Sequence, residues 1–295
     1  MKRESFYREK LNIQPPAVIN WRQTELGERM LYSYRATTYD RNTFPSRLHY
    51  HDYYELLIFE EGEICYICES QRYQPRTGEV LLIPPGTFHM SVIGSEKTLY
   101  KRHVFYLYPD ALDAFGCGAV TEFLQKARGL TVLSVTEQEE LRELLHRLNA
   151  ASEREEPSYK ALAVGLVIRI FFLLQQSEAA VEKEADPLPE HLLAIKQYID
   201  ENYCELSSVS EVAERFFYSR EYVARLFRRH FNTTVGDYVK ARRIAQAQQL
   251  LGQGYSVTEV CYRTGFGNLS TFIRCFRSVV GTTPSAYRKQ NKKVP

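Results

Sequence analysis

The chain has 295 residues, 44% of them hydrophobic and 25% charged. This composition excludes a disordered or fibrous protein and leaves room for two domains of ordinary size. The net charge of +2 hides a division: from His191 onward 16 Lys and Arg face 8 Asp and Glu, against 22 and 28 in the remainder. A basic module attached to an acidic one points to a nucleic-acid partner for the basic half alone. The start, MKRESFYREK, lacks the apolar core of a signal peptide. The longest apolar run, ALAVGLVIRIFFLL from Ala161, carries Arg169 and is too short to span a bilayer. The expectation is a cytoplasmic protein with no membrane partner and six reduced, structural cysteines.

Up to about residue 110, short strand-like runs alternate with turn signals. YELLIFEEGEICYICES reads as a hairpin around Gly62, and RTGEVLLIPPGTFH as a strand ending in a Pro-Pro-Gly turn. HYHDYYELLIFEEG, residues 49 to 62, puts His49, His51 and Glu55 in one short segment. Such a set can hold a metal ion, line a small-molecule pocket or sit in a core. On a strand the three share parity, so one face presents all of them. His49, His51, Glu55 and Gly62 read H-x-H-x3-E-x6-G; Gly78, Pro84, Gly86 and His89 read G-x5-P-x-G-x2-H. These segments resemble the paired motifs of the cupin β-barrel, with Thr43 and Ile93 departing from the pattern at its margins. The resemblance implies that both segments line one barrel mouth. It also implies that His49, His51, Glu55 and His89 are the ligands where such a barrel binds metal. Three imidazoles and a carboxylate suit Fe, Mn, Ni or Zn. Tyr50, Tyr53, Tyr54, Tyr66 and Phe88 are stacking walls for a sugar or barrel packing. Arg47 is a candidate for an acidic group on a ligand.

Residues 119 to 177 read as helices. In EQEELRELLHRLNAA, Leu141, Leu144, Leu145 and Leu148 share one helical face, which is either a dimer contact or packing on its own barrel. SEAAVEKEADPLPE, 177 to 190, is charged and contains two prolines, and reads as a linker. The expected fold class is α+β and multidomain. A cupin-like β-barrel occupies 1–118, a helical dimerisation or linking segment 119–177, a linker 178–190 and an all-α domain 191–295.

The last hundred residues repeat. SVSEVAERFFYS from Ser208 parallels SVTEVCYRTGFG from Ser256, and Arg225, Phe227 and Arg228 recur 49 residues on as Arg274, Phe276 and Arg277. Ser208 with Glu211, and Ser256 with Glu259, are capping boxes that start a short helix in each copy. Ser219 or Asn268 then caps a second helix. Val223, Leu226 and Phe227 form the buried stripe of the first copy, and Phe272, Phe276 and Val279 that of the second. The opposite faces carry Arg220, Ala224, Arg225 and Arg228, or Ser270, Thr271, Arg274 and Arg277. This is helix-turn-helix grammar: one face packed, the other polar or cationic enough to enter a major groove.

This region, above all GFGNLSTFIRCFRSVVGTTPSAYRK from 265 to 289, resembles the DNA-binding domain of AraC/XylS-type transcription regulators. The resemblance implies two helix-turn-helix units joined by a long helix around YVKARRIAQAQQLL, placed in successive major grooves of double-stranded promoter DNA. Its base-reading positions fall on Glu221, Tyr222, Ala224 and Arg225, and on Leu269, Ser270, Thr271 and Arg274. Arg220, Arg228, Asn268 and Arg277 are expected as further DNA contacts. It also implies a sensor barrel that binds an organic effector such as a sugar without catalysis, with Arg47, His49, His51, Glu55 and His89 in the pocket. A homodimer is expected, and an RNA polymerase contact if the protein is an activator. No cofactor is then expected; a divalent transition metal in the barrel, for a metal or redox sensor or an enzyme, is the alternative. Phe216 and Phe217 occupy the first turn, where such turns often use glycine and the second keeps Gly265. A phenylalanine at positive φ is strained, so the first turn is expected to take a different shape.

Overall fold

Strands that pair across long sequence distances organise the N-terminal unit, Pro15–Pro187, of the computed structural model. The structure describes residues 18–25, 30–41, 44, 48–51, 53–69, 71–108, 111, 116–127, 129–152, 154, 157–179 and 188–291. Arg47, Thr43 and linker residues 180–187 lie outside them. A seven-stranded antiparallel sheet contains β1 (Val18–Glu25), β2 (Met30–Asp40), β3 (Tyr54–Glu61), β6 (Val80–Ile83), β8 (Lys97–Leu107), β9 (Thr131–Ser134) and β10 (Glu178–Ala179). Its order is β1-β2-β8-β3-β6-β9-β10. A three-stranded sheet, in order β5-β4-β7, contains β4 (Ile64–Cys68), β5 (Gln71–Tyr73) and β7 (His89–Ile93).

Side chains alternate between the faces of a strand, and both faces of the large sheet are covered. Tyr32, Leu56, Val80 and Phe105 face a core shared with helices. Leu57, Phe59, Leu81, Tyr100 and Val104 face the other way and cluster with Ile64 and Tyr66 of β4 and Ile93 of β7. Burial on both faces explains why β6 reads as an unbroken apolar run. Among the described residues the cupin-like architecture is therefore two facing sheets, not hydrogen-bonded into a closed cylinder.

The expected hairpin around Gly62 does not form. β3 pairs with β6 and β8, and β4 with β5 and β7, so the chain passes from one sheet to the other at this corner. The ladder is irregular between Phe59 and Glu61. Gly62 has φ 141°, and a Cβ there would lie 3.2 Å from the Leu99 carbonyl oxygen. A tight corner with so close a backbone neighbour needs glycine.

Three helices cover the outer face: α1 (Gly118–Lys126), α2 (Gln138–Ala151) and α3 (Pro157–Gln175). The segment expected to be wholly helical also contributes β9, whose Leu133 pairs with Val80 of β6 and Ala179 of β10. Leu141, Leu144, Leu145 and Leu148 of α2 are buried in this unit's own core. Their burial, about 1.5–3 kcal/mol each, removes them as a dimer contact. α3 is longer than the apolar run suggested, and by length and composition it would cross a bilayer. However, Ala163, Leu166, Val167, Ile170, Phe171, Leu173 and Leu174 are buried in the core, and Arg169 makes two hydrogen bonds, at 2.7 and 2.9 Å, to Glu140 of α2.

The second unit, Leu188–Pro295, is helical: α4 (Glu190–Asn202), α5 (Val209–Arg215), α6 (Arg220–Phe231), α7 (Val235–Gly252), α8 (Val257–Arg263), α9 (Leu269–Val280) and α10 (Pro284–Asn291). Asp200 ties α4 to α7. It accepts from Lys196 at 2.6 Å, from Tyr238 Oη at 2.5 Å and from Arg242 Nε at 3.0 Å. Lys196 is 3% exposed, and a charge so buried is tolerated only with such partners.

Candidate functional site

Parity does not govern His49 and His51, because β3 begins only at Tyr54. A backbone bridge brings the motif together instead. His49 N–H donates to the His89 carbonyl at 3.0 Å and His89 N–H to the His49 carbonyl at 2.9 Å. Gly86 N–H, in the Pro-Pro-Gly turn, donates to the His51 carbonyl at 2.8 Å. The rings of His49 and His89 then lie 4.3 Å apart, and those of His51 and His89 4.9 Å. Glu55 Oε2 sits 3.1 Å from His51 Nε2 and 3.3 Å from His89 Nε2. Ligand atoms of His49, Glu55 and His89 fall within 4.8 Å of one another, with His49 on the exposed side.

The backbone fixes where the protons go. His51 Nδ1 is 2.7 Å from the Tyr53 carbonyl and His89 Nδ1 is 3.0 Å from that of Thr87. A carbonyl only accepts, so both rings donate through Nδ1 and, when neutral, turn an Nε2 lone pair toward the carboxylate. His89 Nε2 is shut off from solvent and makes no hydrogen bond. Burial, against the pull of Glu55, holds His51 below the ordinary imidazole range. Burial pushes the Glu55 carboxyl up, but the two histidines outweigh it and hold it well below the usual carboxylate range. A carboxylate faced by two such nitrogens accommodates added protons, a cation, or ligand hydroxyls that donate to it.

The proposed aromatic walls divide. Tyr53 stacks on His51 with centroids 4.1 Å apart, Tyr50 lies 4.8 Å from Phe88, and Tyr66 hydrogen-bonds Tyr100 between the sheets. Tyr54 faces the helix-side core, opposite Glu55, and is no wall. Sequence reasoning missed two residues on the inter-sheet face, Arg35 and Arg102, which the ladder places directly opposite each other. The signal was their parity with Tyr39 and Tyr100, legible only once strands 67 residues apart were put in register.

In the helical unit the repeat folds as two matching helix-turn-helices. Ser208 and Ser256 accept from Glu211 N–H and Glu259 N–H, and Ser219 and Asn268 from Tyr222 N–H and Thr271 N–H. The first turn is not shaped differently. Phe217 has φ 58°, beside 78° for Gly265. Tyr218 N–H reaches the Ala213 carbonyl at 2.9 Å, as Phe266 N–H reaches that of Cys261 at 3.0 Å. Phe217 tolerates the conformation because its side chain is 95% exposed. At Gly265 a Cβ would lie 2.0 Å from the Cys204 carbonyl oxygen, so close approach, beyond φ alone, demands glycine there.

Arg220, Glu221, Ala224, Arg225 and Arg228 of α6, and Ser270, Thr271, Arg274 and Arg277 of α9, are exposed. Ser270, Arg274 and Arg277 line an open depression with Ile273 and Ser278. Tyr222 is half-buried, its hydroxyl 3.1 Å from His191 Nε2. Asn268 spends its Oδ1 on the helix cap, at 3.0 Å from Thr271 N–H. Leu269 packs against the core. Val279 is 47% exposed, and Val280 takes the buried place expected of it, beside Phe276 and Tyr287. The i, i+4, i+8 row from Phe272 is the one that meets α10.

Family models match both units: an AraC-like ligand binding domain over residues 32–171 and a helix-turn-helix domain over 212–290. The chain is 26% identical over 249 residues to the transcriptional activator RhaS of Salmonella schwarzengrund, covering 82% of this chain and 87% of that one. It is 25% identical over 232 residues to the HTH-type transcriptional regulator YbfI of Bacillus subtilis, covering 77% and 80%. Among solved structures, the DNA-binding domain of AdpA in complex with target DNA matches at 32% identity. That match covers 34% of this chain and 90% of that one, with a TM-score of 0.33.

Proposed function

We propose that this chain, which belongs to the AraC family of DNA-binding transcription regulators, is a cytoplasmic activator controlled by a sugar or related metabolite held between the sheets of its N-terminal unit. The observation that carries the reading is the pair of equivalent helix-turn-helices, each turning a polar, arginine-bearing face to solvent. Arg225 and Arg274 suit guanine edges, and Arg220, Arg228 and Arg277 suit phosphates. The barrel binds and does not catalyse. Its ligand acts by favouring one state of the regulator over another.

Two protomers on paired half-sites would bring four such helices to promoter DNA, beside RNA polymerase. Support for the dimer moves from α2 to α3, whose Ala161, Leu162, Gly165 and Phe172 are exposed. The test is selection of binding sites from random duplexes, then footprinting with and without sugars. Recovery of a paired site whose occupancy a sugar changes supports the reading; purely non-specific, salt-sensitive binding refutes it.

A second reading is favoured by one observation, the buried His89 Nε2 that lies 3.3 Å from Glu55 Oε2 and makes no hydrogen bond. In it Glu55, His89 and His49 hold a divalent transition metal, with His51 beside them. The Nδ1 bonds to carbonyls are the outer contacts that orient ligating imidazoles. The metal would supply a Lewis-acidic contact for effector oxygens. Near-stoichiometric metal in chelator-free protein, lost in a His49→Ala/His89→Ala variant, supports it; no uptake after incubation with divalent ions removes it.

A further inference from the structure

We infer that the effector is a carboxylic acid, and that Arg102, with Arg35 beside it, forms the carboxylate-binding part of the inter-sheet face. The inference rests on the effector reading above and adds the ligand's chemical class. Arg35 of β2 and Arg102 of β8 are direct register partners, so both side chains leave the same face of the sheet. By the same register this face carries Tyr39, Tyr100, Val104 and Tyr106, and it looks toward β4 and β7. Like charges directly opposite each other on neighbouring strands are destabilising, and Arg35 is only 5% exposed. An anion seated against the Arg102 guanidinium would offset that like-charge contact.

The hydrogen bonds point the same way. Arg35 Nε donates to Ser33 Oγ at 3.1 Å. The Arg102 guanidinium lies over the Tyr100 ring, with Cζ 3.9 Å from the centroid. Its Nη1 is cut off from solvent and, among the described residues, has no acceptor. An arginine keeps its charge and its fork of donors, so a buried N–H left unmet calls for an acceptor from outside the chain. Glu55 shares this face, through its register with Tyr106, and its Oε2 lies 3.1 Å from His51 Nε2 and 3.3 Å from His89 Nε2. Arg102 is four residues from Tyr106 along β8, about 13 Å of strand. One part of the face thus offers guanidinium donors for paired anionic oxygens, and another offers a carboxylate that accepts from hydroxyls. Tyr39, Tyr66, Tyr100 and Tyr106 supply aromatic and hydroxyl surface between them. A carboxylate on a hydroxylated carbon chain, such as a sugar acid, complements both parts.

The test uses full-length protein and its Arg102→Met variant, with thermal melting and titration calorimetry. The probes are galacturonate, gluconate and citrate, beside neutral galactose and glucose and the anionic glucose 6-phosphate. At about a hundred times Kd, a binding acid raises the wild-type Tm by about 5 °C or more. Arg102→Met weakens that acid about 100-fold. Without ligand, Arg102→Met melts no lower than wild type, because it removes a buried unmet donor; a large loss would instead mark Arg102 as structural and overturn the inference. Neutral sugars that bind wild type and variant alike would overturn the acid inference while leaving the effector reading standing. Preference for glucose 6-phosphate would place a phosphate where we place a carboxylate, and also overturn it. If none of the acids shifts wild type more than the variant, the inference fails. The effector reading fails separately, if no acid or sugar changes operator binding.

Discussion

Gly265→Ala tests whether the second helix-turn-helix is held by close contact with the backbone of α4's trailing loop. Two costs add. At φ 78° an alanine pays about 1–2 kcal/mol of backbone strain. Its Cβ would also lie 2.0 Å from the carbonyl oxygen, 2.7 Å from the carbonyl carbon and 2.9 Å from the Cα of Cys204. That loop cannot retreat freely, because Arg243 of α7 donates to the Tyr203 carbonyl at 2.8 Å and to that of Leu206 at 2.7 Å. Overpacking of this kind costs about 1–3 kcal/mol more, so the expected loss is about 3 kcal/mol, a large share of a domain's stability. Phe217→Gly is the internal control. It relieves about 1 kcal/mol of strain and loses no burial, while adding about 0.4–1 kcal/mol of unfolded-state freedom, so it should be nearly neutral. The only tryptophan, Trp21, is in β1, so fluorescence reports on the wrong unit. Hydrogen exchange of α8 and α9 amides is the assay. Unchanged protection in Gly265→Ala, or an equal loss in Phe217→Gly, would refute the reasoning.

Asp200→Ala removes the carboxylate that Lys196, Tyr238 and Arg242 share, and should cost about 3 kcal/mol or more, read from urea unfolding of the helical signal. Arg274→Ala should weaken specific DNA binding by about 1–3 kcal/mol and relax one base position. Arg277→Ala should instead weaken all sequences alike and lower the salt slope by about one; equal effects in a competition assay would undo that assignment. Glu60 accepts from His103 at 2.9 Å, and that contact holds its carboxyl below the usual value of 4.5. Because its folded value is depressed, its contribution is present above about pH 4.5 and is lost as pH falls through the lower folded value. Glu60 is partly exposed, so the contribution is about 1 kcal/mol or less. Glu60→Gln should flatten the acid limb of melting temperature against pH, and an unaltered limb would count against the pairing.

What the sequence made legible was what local chemistry decides. The side-chain caps at Ser208, Ser219, Ser256 and Asn268 form, since each joins residues three apart, but the reciprocal half of the two capping boxes does not: Glu211 reaches Ser207 and Glu259 pairs with Arg263. Errors came where a distant segment casts the deciding vote. Two apolar runs around Gly62 look like a hairpin from within, but inter-sheet packing sends them to different sheets. Val280 replaces Val279 because α10 lies on that side. Phe217 adopts the glycine conformation because the hydrogen bonds of the turn require it and nothing obstructs its side chain. The histidine motif was found for a reason only half right: the residues do meet, but through the bridge of His49 to His89 and not through strand parity. Arg35 and Arg102 could not be paired without the register of β2 on β8.

The two-residue strand β10 moors the end of the N-terminal unit to its large sheet. Glu178 and Ala179 pair with Ser134 and Leu133, and the next unit begins at Leu188. With β10 docked, the tether from Ala179 to Leu188 can reach at most about 30 Å. Casting off those two rungs pays out roughly another 7 Å of chain. β10 hangs on β9, β9 on β6, and β6 on β3, where Glu55 pairs with Ile83. Continuous backbone pairing therefore joins the strand that carries Glu55 to Ala179, the last described residue before the second unit.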